Sequence, residues 1–341
     1  MTAVMARVWT GILHVVRRYP SPHNSQPIRV RIVDGHRAEL YYDLDRGLPA
    51  EPYGIPFGHV CAGIFVELLA IAAHAQGFEV AEDLRFDEMD FEGGDRLHHL
   101  GGVTLVPCDH PLPDLDAGLI TRRRTSRLAY DARTVPSEIL MQLDVEARRW
   151  GHRLASTTDR ATVGRIVRIN QRTLFDDIAN PAVRHELATW LRYSEDEAAR
   201  RRDGLSATCL DVSGRVLRWF VEHHTWWSRP GPRQVARWLY LRSMRGVRHL
   251  AWLTGPFRTN EDFVRAGRTF IRCWLLLTDH DVAMQPLGSV ITNPRSHAAL
   301  VDAVGEDQTR DMTWMLMRIG YSPEPPRSHR LPAGDLLVEA R

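Results

Sequence analysis

With 341 residues, 44% of them hydrophobic and 25% charged, the chain has apolar material for one large core or two fused smaller ones, which excludes a mainly disordered polypeptide. Its 44 basic and 42 acidic residues leave a formal charge of only +2. A nucleic-acid or membrane partner would therefore need a local patch, and the arginine groups near positions 122 and 200 are the candidates for one.

From the N-terminus, residues 1–16 read as a modestly hydrophobic helix with no small-residue cleavage site behind it. A Pro-rich polar corner follows, Pro20-Ser21-Pro22-His23-Asn24-Ser25-Gln26-Pro27. Its prolines restrict the backbone, while its amides and hydroxyls offer donors and acceptors suited to the edge of a flat heteroaromatic ring. The alternative is a capped helix end whose amides bond only backbone. Residues 28–33 and 38–42 then alternate around the Asp34-Gly35 turn as a hairpin. A Pro- and Gly-rich loop is expected over 47–56, and 58–76 is apolar nearly all round, as a core helix is. Its apolar stretch, 60–75, is interrupted by Glu67 and His74 and falls short of the ~20 residues a membrane helix needs, so no membrane partner is expected. Gly77 is placed to end that helix, and 78–80 to begin a strand.

The second polar cluster is Arg122-Arg123-Arg124-Thr125-Ser126-Arg127. Guanidinium forks and a hydroxyl at this spacing can wrap one phosphate, although arginine runs are commonly solvated faces. Residues 135–150, 162–174 and 180–193 read as helices and 153–156 as a strand, with Asn180-Pro181 as a helix start. Residues 200–248 are rich in Arg, Trp and Gly without a clean period, and read as an irregular insertion that either caps an active site or packs on the second half. Near the C-terminus, a strand at 249–254, a loop at 255–262 and an apolar helix at 264–278 echo the order seen near the N-terminus. That echo is compatible with internal duplication and equally with any two-layer α+β protein. A last basic group, Arg327-Ser328-His329-Arg330, stands behind Pro325-Pro326.

Several chemistries are disfavoured. Cys61, Cys108, Cys209 and Cys273 form no C-x-x-C pair, which fits a reducing, cytoplasmic setting. Adjacent histidines, as in His98-His99 and His223-His224, point to opposite faces of a strand, so no metal is expected. No G-x-S-x-G elbow and no G-x-G-x-x-G loop occurs. Gly93-Gly94 and Gly101-Gly102 read as turns, and the tryptophans as core or cap rather than base-stacking platforms, so no nucleic-acid partner is expected.

Four pieces in order carry a family resemblance: Ser21-Pro22-His23-Asn24-Ser25-Gln26-Pro27; Arg123-Arg124-Thr125-Ser126-Arg127; Trp190-Leu191-Arg192 with Asp203-Gly204-Leu205; and Met317-Arg318-Ile319-Gly320-Tyr321 leading into 325–330. In these the chain resembles the FMN-dependent nitroreductase superfamily, in particular its long Acg-like branch with two subunit-like halves in one polypeptide. The resemblance implies an α+β fold, an antiparallel sheet flanked by helices, with an N-terminal half at 1–110 and a C-terminal half at 111–341 carrying the 200–248 insertion as a lid. It implies FMN as cofactor, NADH or NADPH as a possible electron donor, and no strict need for an acid-base side chain. By position, Arg123, Arg124 and Thr125 would hold the phosphate and ribityl chain, and Arg127 the N1/O2 edge. Arg327 and Arg330 would close over the phosphate, and Ser21, Pro22, His23, Asn24 and Gln26 would contact the flavin from the opposite half. A backbone N–H of Leu287 or Gly288 would face N5. The implied activity is hydride transfer through flavin N5 to or from a small, flat or apolar organic substrate, by a monomeric pseudo-dimer or a homodimer. The alternative is a flavin-binding protein that sequesters the cofactor without turnover. Asp281, near the C-terminal end of the long helix, is unfavourable for the helix dipole unless paired.

Overall fold

The computed structural model describes residues 2–49, 57–109, 115–227 and 229–339. Helix α1 (Ala3–Val16) starts at Thr2, whose hydroxyl accepts the Met5 N–H, and buries Trp9, Ile12 and Val16 on one face. The corner at 20–27 leads into a hairpin of β1 (Ile28–Ile32) and β2 (Arg37–Asp43). The Asp34 carboxylate closes its turn by accepting the His36 and Arg37 N–H groups at 2.7 and 2.9 Å. Helix α2 (Phe57–His74), β3 (Phe78–Leu84) and β4 (Leu97–Pro107) complete a four-stranded antiparallel sheet of order β1-β2-β4-β3. The expected loop over 47–56 lies outside the described residues from position 50 onward.

After α3 (Gly118–Arg122) and α4 (Ser137–Arg148), β5 (Arg153–Thr157) opens a second sheet. A helical insertion follows: α5 (Arg160–Ala179), α6 (Pro181–Trp190), β6 (Leu191–Arg192), α7 (Glu195–Arg201), β7 (Leu205–Ser206), α8 (Gly214–Glu222), α9 (His224–Trp227) and α10 (Pro230–Ser243). The chain then returns through β8 (His249–Gly255), α11 (Asn260–Asp279), β9 (Ala283–Pro286), α12 (Ser289–Thr292), α13 (Pro294–Val304) and β10 (Met312–Gly320). The second sheet is also antiparallel, in the order β5-β8-β10-β9. First, second, fourth and third strand lie side by side in both sheets. In both, a helix precedes the first strand and a long buried helix joins the second to the third. The fold is α+β with two subunit-like halves; the insertion enters where the first half has only the turn at 33–36. The division expected at 110/111 falls outside the described residues.

The two long helices cross at matched glycines. A Cβ on Gly63 would stand 2.0 Å from the Val264 carbonyl oxygen, and one on Gly267 would stand 2.1 Å from that of Val60. Val60-Cys61-Ala62-Gly63 and Val264-Arg265-Ala266-Gly267 thus share both pattern and offset, and each presents the patch its counterpart receives, as at a two-fold interface. A buried ion network ties the helices together: Glu67 on α2 accepts from Arg268 at 3.0 Å and Arg272 at 2.7 Å, and these reach Glu82 and Glu146. Helix α2 is long and apolar enough to cross a membrane, but 78% of that stretch is buried against the rest of the fold.

Two arms cross between the halves. The segment after α3 runs along the second sheet, with Ser126 N–H donating to the Met284 carbonyl at 3.0 Å. The C-terminal tail runs back along the first sheet, where Val338 N–H donates to the Val30 carbonyl at 3.0 Å and covers the β1 edge.

Two expectations are corrected here, and the condition set for Asp281 is met. Gly101-Gly102 is not a turn but lies within β4, where Gly101 at φ 108° accompanies a register shift against β2. Residues 200–248 are chiefly helical rather than irregular. Asp281 is paired, its carboxylate accepting from Arg122 at 3.1 Å.

Candidate functional site

The crossed arms bring together residues that are far apart in sequence. A cavity of about 1110 Å³ lies between the halves, floored by Val60, Ile64, Phe270 and Trp274 of the crossing helices and roofed by the helical insertion. Ser21, Pro22, His23, Asn24, Arg123, Arg124, Thr125, Arg127, Leu287, Gly288, Arg327 and Arg330 all line it. Of the thirteen residues singled out from sequence, Gln26 alone does not.

The corner at 20–27 is held in an unusual conformation. His23, Asn24 and Gln26 have φ of 49°, 57° and 54°, left-handed values that cost roughly 1–2 kcal/mol each outside glycine. What over-determines them is a set of side chain–backbone bonds. Gln26 Nε2 donates to the Arg202 carbonyl at 2.9 Å, and its Oε1 accepts the Leu331 N–H at 2.9 Å. Asn24 Nδ2 donates to the carbonyls of Gly204 and His329 at 2.9 and 3.1 Å, and its Oδ1 accepts from Arg330. The expected role of Gln26 as a ring contact is therefore corrected: both ends of its amide are committed to backbone, and it pins the corner to the tail and to the turn after α7. The 190–205 motif serves the same corner. Asp203 pairs with buried Arg192 at 2.6 Å and with Arg46 of the first half at 2.7 Å, while Gly204 N–H donates to the Asn24 carbonyl.

The 122–128 arm is fixed from β10, where Arg318 donates to the carbonyls of Ser126 and Leu128 at 3.2 Å each. At the polar end of the cavity the cations gather. Arg123 lies 4.3 Å over the Trp274 ring, donates through Nη2 to the Arg18 carbonyl at 2.9 Å and buries its Nε without a partner. Burial, then the charges of Arg330 and Arg18, pull its pKa down to about 9. Arg330 is lowered to about 10, chiefly by burial with Arg18 also opposing it, and Arg18 in turn is lowered by burial and by the charges of Arg17, Arg327 and Arg124. Arg124 alone among the lining arginines of this end has an ion pair to an acid, exposed Glu324, among the described residues. The acids that line the cavity, Asp177, Glu186 and Asp211, come from the insertion. Cations from three segments thus repel one another around a common space, an arrangement that an anion relieves and a cation cannot enter.

Next to this end, His23 and Arg127 meet. Burial and then the Arg127 charge depress the His23 pKa to about 4, so the ring is neutral at pH 7. Arg127 is itself lowered by burial, and its Nη1 donates to the Cys209 carbonyl at 3.4 Å. On the opposite wall, Leu287 N–H is consumed by the Leu316 carbonyl at 2.8 Å, which removes Leu287 as the expected free donor. Gly288 N–H has no partner among the described residues, and neither does the buried Oε1 of Gln285, which also lines the cavity. Sequence reasoning missed Gln285, Arg18 and Arg318; only Arg318 lay within a quoted motif.

The outer part of the cavity is aromatic, with Phe175, Phe220 and Trp227 stacked or edge-on within 4.3 to 6.1 Å of one another. Asp177 stands in this wall, hydrogen-bonded by Asn293 at 3.4 Å, and burial pushes its pKa up to about 6. No group of three or more His, Cys, Asp or Glu suited to a metal occurs among the described residues.

No protein-family model matches the chain, and no curated protein matches it. Among solved structures it is similar to a nitroreductase-like family protein from Bacillus cereus, at 15% identity and a TM-score of 0.35, over 64% of this chain and 92% of that one. It is also similar to the FMN-dependent nitroreductase NfnB from Mycobacterium smegmatis in complex with NADPH, at 15% identity and a TM-score of 0.38, over 62% and 92%. A third is oxidized iodotyrosine deiodinase bound to FMN and 3-iodo-L-tyrosine, at 16% identity and a TM-score of 0.37, over 63% and 93%. With TM-scores below 0.5, what this cavity holds is decided by its own residues.

Proposed function

We propose that the cavity holds FMN and that the protein is an FMN-dependent oxidoreductase acting on a flat or apolar organic substrate, its two halves equivalent to two fused subunits. The observation that carries this reading is the converging cation set of Arg18, Arg123, Arg327 and Arg330, with the unpartnered Nε of Arg123 buried among them. Such a set fits a phosphate dianion, and Arg124 and Thr125 line the space beside it. A flat ring system fits the neighbouring space. Arg127 supplies positive charge, neutral His23 a donor and an acceptor, Gly288 a free N–H and Gln285 a free acceptor. When bound, FMN supplies the capacity to pass a hydride between two partners in turn. The chain's part is to bind, orient and keep water away, and the insertion at 200–248 acts as the lid.

The cavity exceeds the ~1,000 Å³ upper range of a single-ligand pocket, which leaves the aromatic wall for a substrate beside the cofactor. Anaerobic mixing of FMN-loaded protein with NADPH or NADH, followed by menadione, tests the reading. Bleaching of the flavin band by either nucleotide and its return with the quinone are expected. A spectrum unmoved by both nucleotides and by a panel of organic reductants would assign storage of the cofactor instead.

A further inference from the structure

The helices that roof the cavity carry an unusual outer face. Between 214 and 248 stand eight arginines against a single acid, Glu222. Arg215, Arg218, Arg229, Arg242 and Arg245 are exposed, whereas Arg233, Arg237 and Arg248 are half-buried, Arg233 paired with Asp176 and Arg237 packed over Phe175. A chain of net charge +2 thus concentrates its positive charge in one tenth of its length. The same stretch exposes large apolar side chains that a folded surface normally covers: Trp238 at 57%, Val235 at 58%, Leu239 at 55%, with Val216, Trp219 and Trp226 also exposed. On α10, Val235, Trp238, Leu239 and Arg242 follow helical spacing along one face. Trp219 and Trp226, ring centroids 5.2 Å apart, carry the apolar surface from α8 onto α9. Val216, Trp219, Trp226, Val235 and Leu239 are at once exposed and lining the cavity, so they form the rim of its mouth.

We infer that this face docks on the surface of an anionic lipid bilayer, seating the cavity mouth against the membrane so that apolar substrate enters from the lipid. Exposed tryptophans backed by arginines, with almost no acid among them, are complementary to anionic headgroups above an apolar interior. Whole-chain charge balance argues against a membrane partner, but the local concentration escapes that argument. The docking surface rests on the insertion alone; the entry route rests on the proposed function.

Co-sedimentation with phosphatidylcholine vesicles containing phosphatidylglycerol, and with pure phosphatidylcholine vesicles, tests it on the full chain. Binding to the anionic vesicles only, lost at high salt, is expected. Trp238, Arg215 and Arg242 do not line the cavity, so Trp238→Ser and the pair Arg215→Gln with Arg242→Gln should each weaken vesicle binding by roughly tenfold. FMN titration of the same variants should be unchanged, which separates loss of docking from loss of fold or cofactor. The inference is overturned by equal binding to neutral vesicles or by none to either. A dimer in solution that Trp238→Ser dissociates, or capture of a single-stranded oligonucleotide without vesicle binding, would likewise give this face to another occupant.

Discussion

Arg123 is a buried guanidinium flanked by other guanidinium groups rather than by a carboxylate. Charge-assisted hydrogen bonds contribute about 1.5–3 kcal/mol, so Arg123→Ala should weaken FMN binding by roughly ten- to a hundredfold and leave riboflavin, which lacks the phosphate, nearly unaffected. Fluorescence titration with both ligands reads this directly. Asp177 behaves oppositely. Its pKa of about 6 lies above the unfolded value of 3.8, so the folded state binds the proton more tightly and stability is lost as pH rises from 3.8 through 6. Asp177→Asn should therefore raise stability by on the order of 2 kcal/mol at pH 8 and by nothing at pH 3, measured by thermal unfolding at both. Arg123, Arg124, Arg327 and Arg330 of the cation cluster were legible in sequence because guanidinium clusters carry their chemistry in composition, whereas Arg18 was not. Gln26 was not, because the same amide serves a ring edge or a backbone equally well. The choice is made by Arg202 and Leu331, which sit far away in the chain.

At the level of elements, the crossing of α2 and α11 decides how the halves meet. Gly63→Ala or Gly267→Ala would drive a methyl into a backbone carbonyl with no side chain to yield, and each should destabilise by at least 1–3 kcal/mol in chemical denaturation. If the crossing behaves as a two-fold, the two losses should be of similar size. The hairpin, both long helices and the Asn180-Pro181 start are readable from period and capping alone. The shared V-x-A-G was present in the sequence as well, and it is the signal that would have aligned the halves. Strand β4 was not readable, since His98-His99 and Gly101-Gly102 break its alternation. Nor were the insertion helices, whose tryptophans face both cavity and solvent.

Across the whole molecule, the cavity exists because the arm after α3 pairs with the second sheet while the C-terminal tail returns to pair with the first. The order of motifs along the chain was visible; their convergence depends on non-local strand pairing and was not. Every part of the account depends on those segments closing on one phosphorylated flavin. Titration of the purified full chain with FMN and with riboflavin, followed by the visible spectrum, tests this most directly. The account predicts one tightly held FMN per chain with a perturbed yellow spectrum and markedly weaker riboflavin. A preparation that stays colourless in excess FMN, or that holds riboflavin as tightly, would contradict it.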